Sequence, residues 1–238
     1  MSTAVLGIDT ATDSTCVAIT RSGAPVCERT LHPPDAESGR PGHAAQLLPA
    51  IEQCLREVGG WDALGTIGVG IGPGSYTGLR IGISTARMLG LARGIDLVPV
   101  CTLDALAVGI TESGFAADKS RLAVLDGRRN EAFVGAYGPD GEQLGGPLVL
   151  ARERLGEAVE GLGESPLAAG DGALRFRAEL EAAGAVVPAA DEPVHELAAR
   201  HVCSLAGSAV AVPPEAIEPI YLREPDARRW RERDGADE

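Results

Sequence analysis

Apolar and polar positions alternate along the start of this chain in short strand-like runs. Residues 4–8 read as a buried strand ending at Asp9-Thr10, and residues 16–20 as a second. After the turn signal Ser22-Gly23, residues 26–31 read as a third. Short turns between them predict a meander. Residues 32–41 carry three prolines, acids and a glycine, and read as a loop. The period then changes. Ala44, Leu47, Leu48, Ile51, Leu55 and Val58 recur at helical spacing, with Glu52, Gln53, Arg56 and Glu57 opposite. Pro49 inside this pattern should kink the helix or begin its regular part. A strand at 66–71 runs into a glycine-rich loop, and a helix follows from about residue 75 or 77 to 92. A strand at 97–101 and a helix at 103–110 complete the first half.

The second half restarts in the same way. Residues 121–125 read as a strand ending at Asp126-Gly127. Residues 131–137 and 143–150 form a hairpin about Gly138-Pro139-Asp140-Gly141. Helical patterns follow at 152–160 and 174–183, with a short strand at 167–169 before Gly170-Asp171-Gly172. A last helix is predicted at 194–210. Each half thus opens with an apolar strand, an Asp at its end, a polar turn and further strands. This predicts two related α/β lobes with mixed sheets, and places Asp9 and Asp126 equivalently. We divide the chain into a first lobe over 1–105, a second over 106–220, and an extended charged tail over 221–238. The helix at 194–210 is expected to pack back toward the first lobe, and the last residues to fray.

The loop between the strand at 66–71 and the next helix carries glycines at 70, 72, 74 and 78. Bare backbone N–H groups there would approach a phosphate, another backbone or a partner's helix. The loop lacks the Lys-Ser/Thr of a Walker P-loop, because Leu79-Arg80 follows Gly78, and the spacing of a dinucleotide fingerprint, because Thr77 stands where its third glycine belongs. In the following helix Gly78, Gly82, Ala86 and Gly90 recur every four residues. Glycine inside a helix costs about 1 kcal/mol relative to Ala, so the stripe needs a reason. It is either burial against the protein's own sheet or a close helix–helix interface with a partner, with Arg80 and Arg87 at its rim. Asp9 with Thr10 and Thr12, and Asp126 in the second half, form a candidate phosphate site. An Asp ending a first strand before a hydroxyl-bearing turn is how actin-like ATPases hold a metal-bound phosphate.

Composition narrows these options. The 238 residues carry a net charge of −13 and a single lysine, Lys119. That balance opposes broad contact with nucleic-acid phosphates, which needs clustered cations. With 3% aromatic residues, the core must be built from Ala, Val, Leu and Ile. Five cysteines at 16, 27, 54, 101 and 203 form no Cys-x-x-Cys pair and are expected to be reduced, mostly buried thiols of a cytoplasmic protein. The start of the chain shows no secretory signal, and no apolar run reaches the length of a membrane span. His43, His32, His195 and His201 offer no pair at i, i+4 for a metal, since position 47 is Leu. No metal site and no catalytic Ser-His-Asp set is assigned.

The run Gly-Ile-Gly-Pro-Gly-Ser-Tyr-Thr-Gly-Leu-Arg-Ile-Gly at 70–82, after Leu-Gly-Ile-Asp-Thr-Ala-Thr at 6–12, resembles the TsaB family, also called YeaZ. His43 with Leu47-Leu48-Pro49, the turn Leu125-Asp126-Gly127-Arg128-Arg129-Asn130-Glu131, and Pro219-Ile220-Tyr221-Leu222-Arg223 support the resemblance. Gly127 stands where the family more usually has Ala. The resemblance implies a two-lobed fold of the actin, sugar kinase and Hsp70 (ASKHA) type. It also implies a non-catalytic scaffold that pairs with TsaD, is joined by the ATPase TsaE, and serves threonylcarbamoylation of the adenosine beside the anticodon. TsaD binds a metal through two histidines at i, i+4; here Leu47 breaks that pair. The implied partner surface comprises Gly72, Pro73, Gly74, Ser75, Tyr76, Thr77, Gly78, Arg80, Gly82, Ala86 and Gly90. The same surface would make a homodimer of the free chain, with tRNA contacted only indirectly. No cofactor is required, although ATP or ADP at the subunit junction is a further expectation. The competing readings are an active ATP-dependent transferase or kinase using Asp9 and Asp126, a nucleotide-binding regulator, and a peptidase.

Overall fold

The computed structural model describes residues 3–33 and 42–223. The loop expected over 34–41 and the charged tail over 224–238 lie outside the described residues. Five strands build the first sheet: β1 (Ala4–Asp9), β2 (Thr15–Arg21), β3 (Ala24–Leu31), β4 (Leu64–Gly70) and β5 (Leu97–Val100), in the order β3-β2-β1-β4-β5. The first three form the antiparallel meander, and β4 and β5 add in parallel. The second sheet contains β6 (Arg121–Asp126), β7 (Glu131–Tyr137), β8 (Gln143–Ala151) and β9 (Leu167–Ala169), in the order β8-β7-β6-β9. Here too the first three pair antiparallel and the last joins its central strand in parallel. The duplication is therefore topological. Asp9 and Asp126 are each the last residue of a central strand.

Strand pleating sends alternate residues to opposite faces. Leu6 and Ile8 of β1 meet α1 (His43–Val58) and α2 (Tyr76–Arg93) on one face. On the other face Gly7 lies under α7 (Ala199–Ala206). In β6, Leu122 and Val124 face α4 (Leu155–Val159), α5 (Asp171–Arg175) and α6 (Arg177–Ala182). Ala123 and Leu125 of the same strand face α3 (Thr102–Glu112) and the first lobe. The interlobe core is continuous from Val98 and Val100 through Leu103 and Leu106 to Phe133 and Val202. α7 returns the chain to the first lobe, where Val212 pairs with Leu97 and Ile217 is buried in the first core.

Several expectations need correction. The helix predicted at 194–210 is one 3-10 turn, Pro193–His195, followed by α7 alone. The backbone at Glu196 and Ala198 is extended, which buries Leu197 and turns its carbonyl to the Cys16 thiol. The helix at 174–183 divides into α5 and α6 at Phe176, a buried residue whose backbone is not helical. The pattern at 152–160 resolves into a 3-10 turn and the short α4. α1 begins at His43 and continues past Pro49, which therefore does not start its regular part. The cysteines are not all reduced: Cys27 on β3 and Cys54 on α1 form a disulfide. Packing of α1 on the sheet brings together two residues separated by 27 positions. Cys16, Cys101 and Cys203 remain thiols.

Candidate functional site

β4 delivers Gly70 to the glycine loop, and Ser75 caps α2 by accepting the Gly78 amide. The loop is seated on the chain's own β1–β2 turn. The Ser75 amide donates to the Ala11 carbonyl at 2.7 Å, and the Thr10 hydroxyl donates to the Gly78 carbonyl at 2.8 Å. A Cβ on Gly78 would lie 2.0 Å from the Thr10 carbonyl oxygen, and one on Gly82 2.3 Å from the Thr10 hydroxyl. Ala86 is buried, and Gly90 packs against the Ile95 carbonyl and Pro214. The stripe Gly78, Gly82, Ala86 and Gly90 is thus an internal seam. The placement of these four at a partner surface is corrected, because small residues were needed for close approach to the chain itself. Gly72 and Pro73 are also buried, Gly74, Ser75 and Tyr76 are half-buried, and Thr77 and Arg80 are exposed.

The two equivalent aspartates sit differently. Asp9 is 1% exposed. Its Oδ1 accepts the Ala11 amide at 2.7 Å and its Oδ2 accepts the Thr102 hydroxyl at 2.9 Å. Burial pushes its carboxyl up to about 6, against the opposing pull of those two hydrogen bonds. Asp126 lines an interlobe cleft of ≈ 270 Å³, whose walls also include Asp13, Arg128, Asp171, Tyr76 and Tyr221. Asp9 is not among the lining residues, and Thr10 is buried beside it. Thr12 reaches the cleft and accepts the Ser14 amide. Asp126 accepts the Arg128 amide and pairs with Arg175 at 2.7 Å, while Arg128 crosses the cleft to Asp13. A metal-bound phosphate held by Asp9 and Asp126 does not fit this arrangement. One carboxylate is enclosed, and the other is neutralised by guanidinium groups.

Comparison with known proteins decides the family. The family model for TsaD, tRNA N6-adenosine threonylcarbamoyltransferase, matches residues 32–210. The uncharacterized protein Rv3421c of Mycobacterium tuberculosis (strain ATCC 25618 / H37Rv) is 33% identical over 225 residues, 94% of this chain and 93% of that protein. The tRNA threonylcarbamoyladenosine biosynthesis protein TsaB of Escherichia coli is 28% identical over 235 residues, 92% of this chain and 94% of its own. YeaZ from Pseudomonas aeruginosa superposes with a TM-score of 0.75 at 27% identity, covering 92% of this chain and 100% of that one. The chain belongs to the TsaB/YeaZ family. An inorganic polyphosphate/ATP-glucomannokinase from Arthrobacter sp. strain KM matches 86% of this chain and 98% of its own, with a TM-score of 0.50 and 15% identity, a likeness of fold alone. The two α/β lobes expected from the duplicated strands, and the actin and sugar kinase fold that the family resemblance implied, are the ones observed.

In this TsaB-family chain His43 is buried at the start of α1, with its Nδ1 2.8 Å from the Thr15 hydroxyl. Burial lowers its affinity for a proton. Leu47, one turn on, lies in the core. The free surface of α1 and α2 lies on the side away from the glycine stripe. Leu48, Met88 and Leu91 are 52%, 65% and 59% exposed. Helical spacing contained the signal: the exposed positions 77, 84, 88 and 91 lie on the side of α2 opposite the glycines, with Ile81 between them packed against the core. Asp13, Arg128 and Tyr221 were also missed as contact-making residues. Only the tertiary structure brings the two hairpin turns and the segment at 217–223 together. No described helix is long and apolar enough to cross a membrane.

Proposed function

We propose that this chain serves tRNA threonylcarbamoyladenosine biosynthesis as a non-catalytic subunit that pairs with a TsaD-family transferase through the outer face of α1 and α2. The observation that carries this reading is the exposure of Leu48 on α1 and of Met88 and Leu91 on α2, two helices packed against one another. Met88 and Leu91 stand one turn apart on the same face of α2, and exposed apolar side chains in such a row mark an interaction surface. The role rests on the relatives named TsaB; that TsaE joins the pair rests on the family resemblance of the glycine run alone. The free chain self-associates through the same face. Two features support an accessory role: Asp9 is withdrawn from the cleft, and Leu47 stands where a second histidine would be needed to make a metal pair with His43. The net charge of −13 leaves tRNA contact to the partners.

The test is reconstitution with the TsaD-family protein of the same organism, assaying threonylcarbamoyl transfer to tRNA with and without this chain. The chain alone is inert, and the mixture needs it. Transfer or ATP hydrolysis by the chain unaided, abolished by Asp9→Ala without unfolding, would establish the active-enzyme reading instead. Calorimetry with ATP and ADP on the chain alone and on the pair tests nucleotide binding at the junction.

A further inference from the structure

One cation on α2 is held between two aromatic side chains. Among the described residues most arginines are neutralised within the chain. Arg128 pairs with Asp13 and Asp126, Arg175 with Asp126, Arg200 with Glu28, and Arg223 with Glu131. Arg80, Arg87 and Arg93 of α2 have no carboxylate partner among the described residues; Arg87 donates to the Pro214 and Glu215 carbonyls and Arg93 stacks on Trp61 at the other end of the helix. The Arg80 guanidinium carbon lies 4.2 Å above the Tyr76 ring, and its Nε donates to the Tyr221 hydroxyl at 3.4 Å. The two tyrosine rings are themselves 5.1 Å apart. Tyr221 is held in turn, because the neighbouring Ile220 amide donates to the Ile71 carbonyl at 2.7 Å and Arg223 ties the segment to Glu131 in the second lobe. The guanidinium is thus fixed on an exposed site while its two terminal nitrogens stay available.

We propose that Arg80 is the ionic anchor of the α2 face: a guanidinium pre-positioned by Tyr76 and Tyr221 to receive a side-chain carboxylate of the partner subunit. This rests on the pairing proposed above and names its chemistry. Stacked arginine is favoured for such recognition because its planar fork meets a carboxylate with two parallel hydrogen bonds, and because stacking removes side-chain freedom before binding. Its setting points to a protein carboxylate over an RNA phosphate. The exposed stripe next to Arg80 continues as Thr77, Ser84, Met88 and Leu91, uncharged and increasingly apolar. The cleft beside it carries Asp13, Asp126 and Asp171 together with Arg128, Arg129 and Arg223, of which Arg128 and Arg223 are already paired with carboxylates of the chain. A phosphate-tracking surface needs clustered cations, which this stripe lacks.

The test is isothermal calorimetry of the full chain against the TsaD-family subunit of the same organism, at two salt concentrations, with Arg80→Ala, Arg80→Lys and Tyr221→Phe. Arg80→Ala weakens pairing by about 30-fold, in the range of interface anchors, and flattens the salt dependence. Its melting temperature matches the parent, because the side chain is exposed. Arg80→Lys restores only part of the affinity. Tyr221→Phe keeps the charge and the Tyr76 stack but removes the hydrogen bond to Nε, and weakens pairing by about 2- to 10-fold. Parental affinity in Arg80→Ala, or an unchanged salt dependence, overturns the anchor while leaving the pairing intact. An effect of Arg80→Ala seen only when tRNA is present also overturns it and reassigns the contact to phosphate. Absence of pairing by the unmodified chain overturns the proposed function itself.

Discussion

At the residue scale, Asp9 shows how one side chain serves the fold while standing in a place associated with chemistry. Its oxygens fasten the β1–β2 turn through Ala11 and the start of α3 through Thr102. Gly70 admits it: a Cβ there would lie 1.8 Å from Asp9 Oδ2. Its carboxyl, raised to about 6, lies above the ordinary unfolded value of about 3.9. The folded state therefore holds the extra proton between those values, and the stability this confers is present below about pH 4 and lost as pH rises through 6. Asn in place of Asp9 cannot ionise. The stability of Asp9→Asn relative to the parent should rise by up to about 3 kcal/mol between pH 4 and 7, measured by urea denaturation at each pH. A difference that stays constant across that range would refute the assignment. Asp9→Ala leaves the Ala11 amide and Thr102 hydroxyl unpaired and costs about 1–3 kcal/mol. Denaturation at pH 4, where the parent Asp9 is protonated, reads this cost without the charge term.

At the scale of elements, α2 has two faces with separate duties. The small-residue stripe seats the helix on the β1–β2 turn, and the outer stripe with Met88 and Leu91 stays free. Gly82→Leu drives a side chain into the Thr10 hydroxyl. It should destabilise the protein by about 3 kcal/mol, roughly 6–12 °C in Tm. Met88→Glu should leave Tm within about 2 °C and abolish pairing in size-exclusion chromatography, since it places a charge on the exposed apolar stripe. If Gly82→Leu instead melts like the parent, the internal seam is wrong. The helical period alone announced that one face of α2 was closely approached. It carried no information on whether the approaching group belonged to this chain or to a partner.

At the scale of the whole molecule, the lobes share one apolar core. α3 and α7 sit between the sheets, and Leu103, Leu106, Leu125 and Val202 belong to the same cluster. The ion pairs across the cleft, Arg128–Asp13 and Arg223–Glu131, are at least partly solvated and each contribute below about 1 kcal/mol, so the core dominates the joint. Calorimetric unfolding should therefore show a single transition with equal calorimetric and van't Hoff enthalpies. Two resolved transitions would mean independent lobes. The molecular charge makes its own prediction. Filter binding of tRNA to the chain alone should show no tight, salt-sensitive association.

The sequence by itself determined the strands, the duplicated grammar that pairs Asp9 with Asp126, and the family, through the glycine run at 70–82. These are local properties: hydrophobic period, turn chemistry and motif order act between residues near each other in the chain. The tertiary structure alone decided which way each feature points. It turned the glycine stripe inward onto Thr10, enclosed Asp9 while leaving Asp126 at the cleft, joined Cys27 to Cys54, and brought Tyr221 to Arg80 across 141 positions. Direction is a relation between elements distant in sequence. It is set by how two sheets and their helices close on shared cores, and a linear pattern does not encode which neighbour will fill a face.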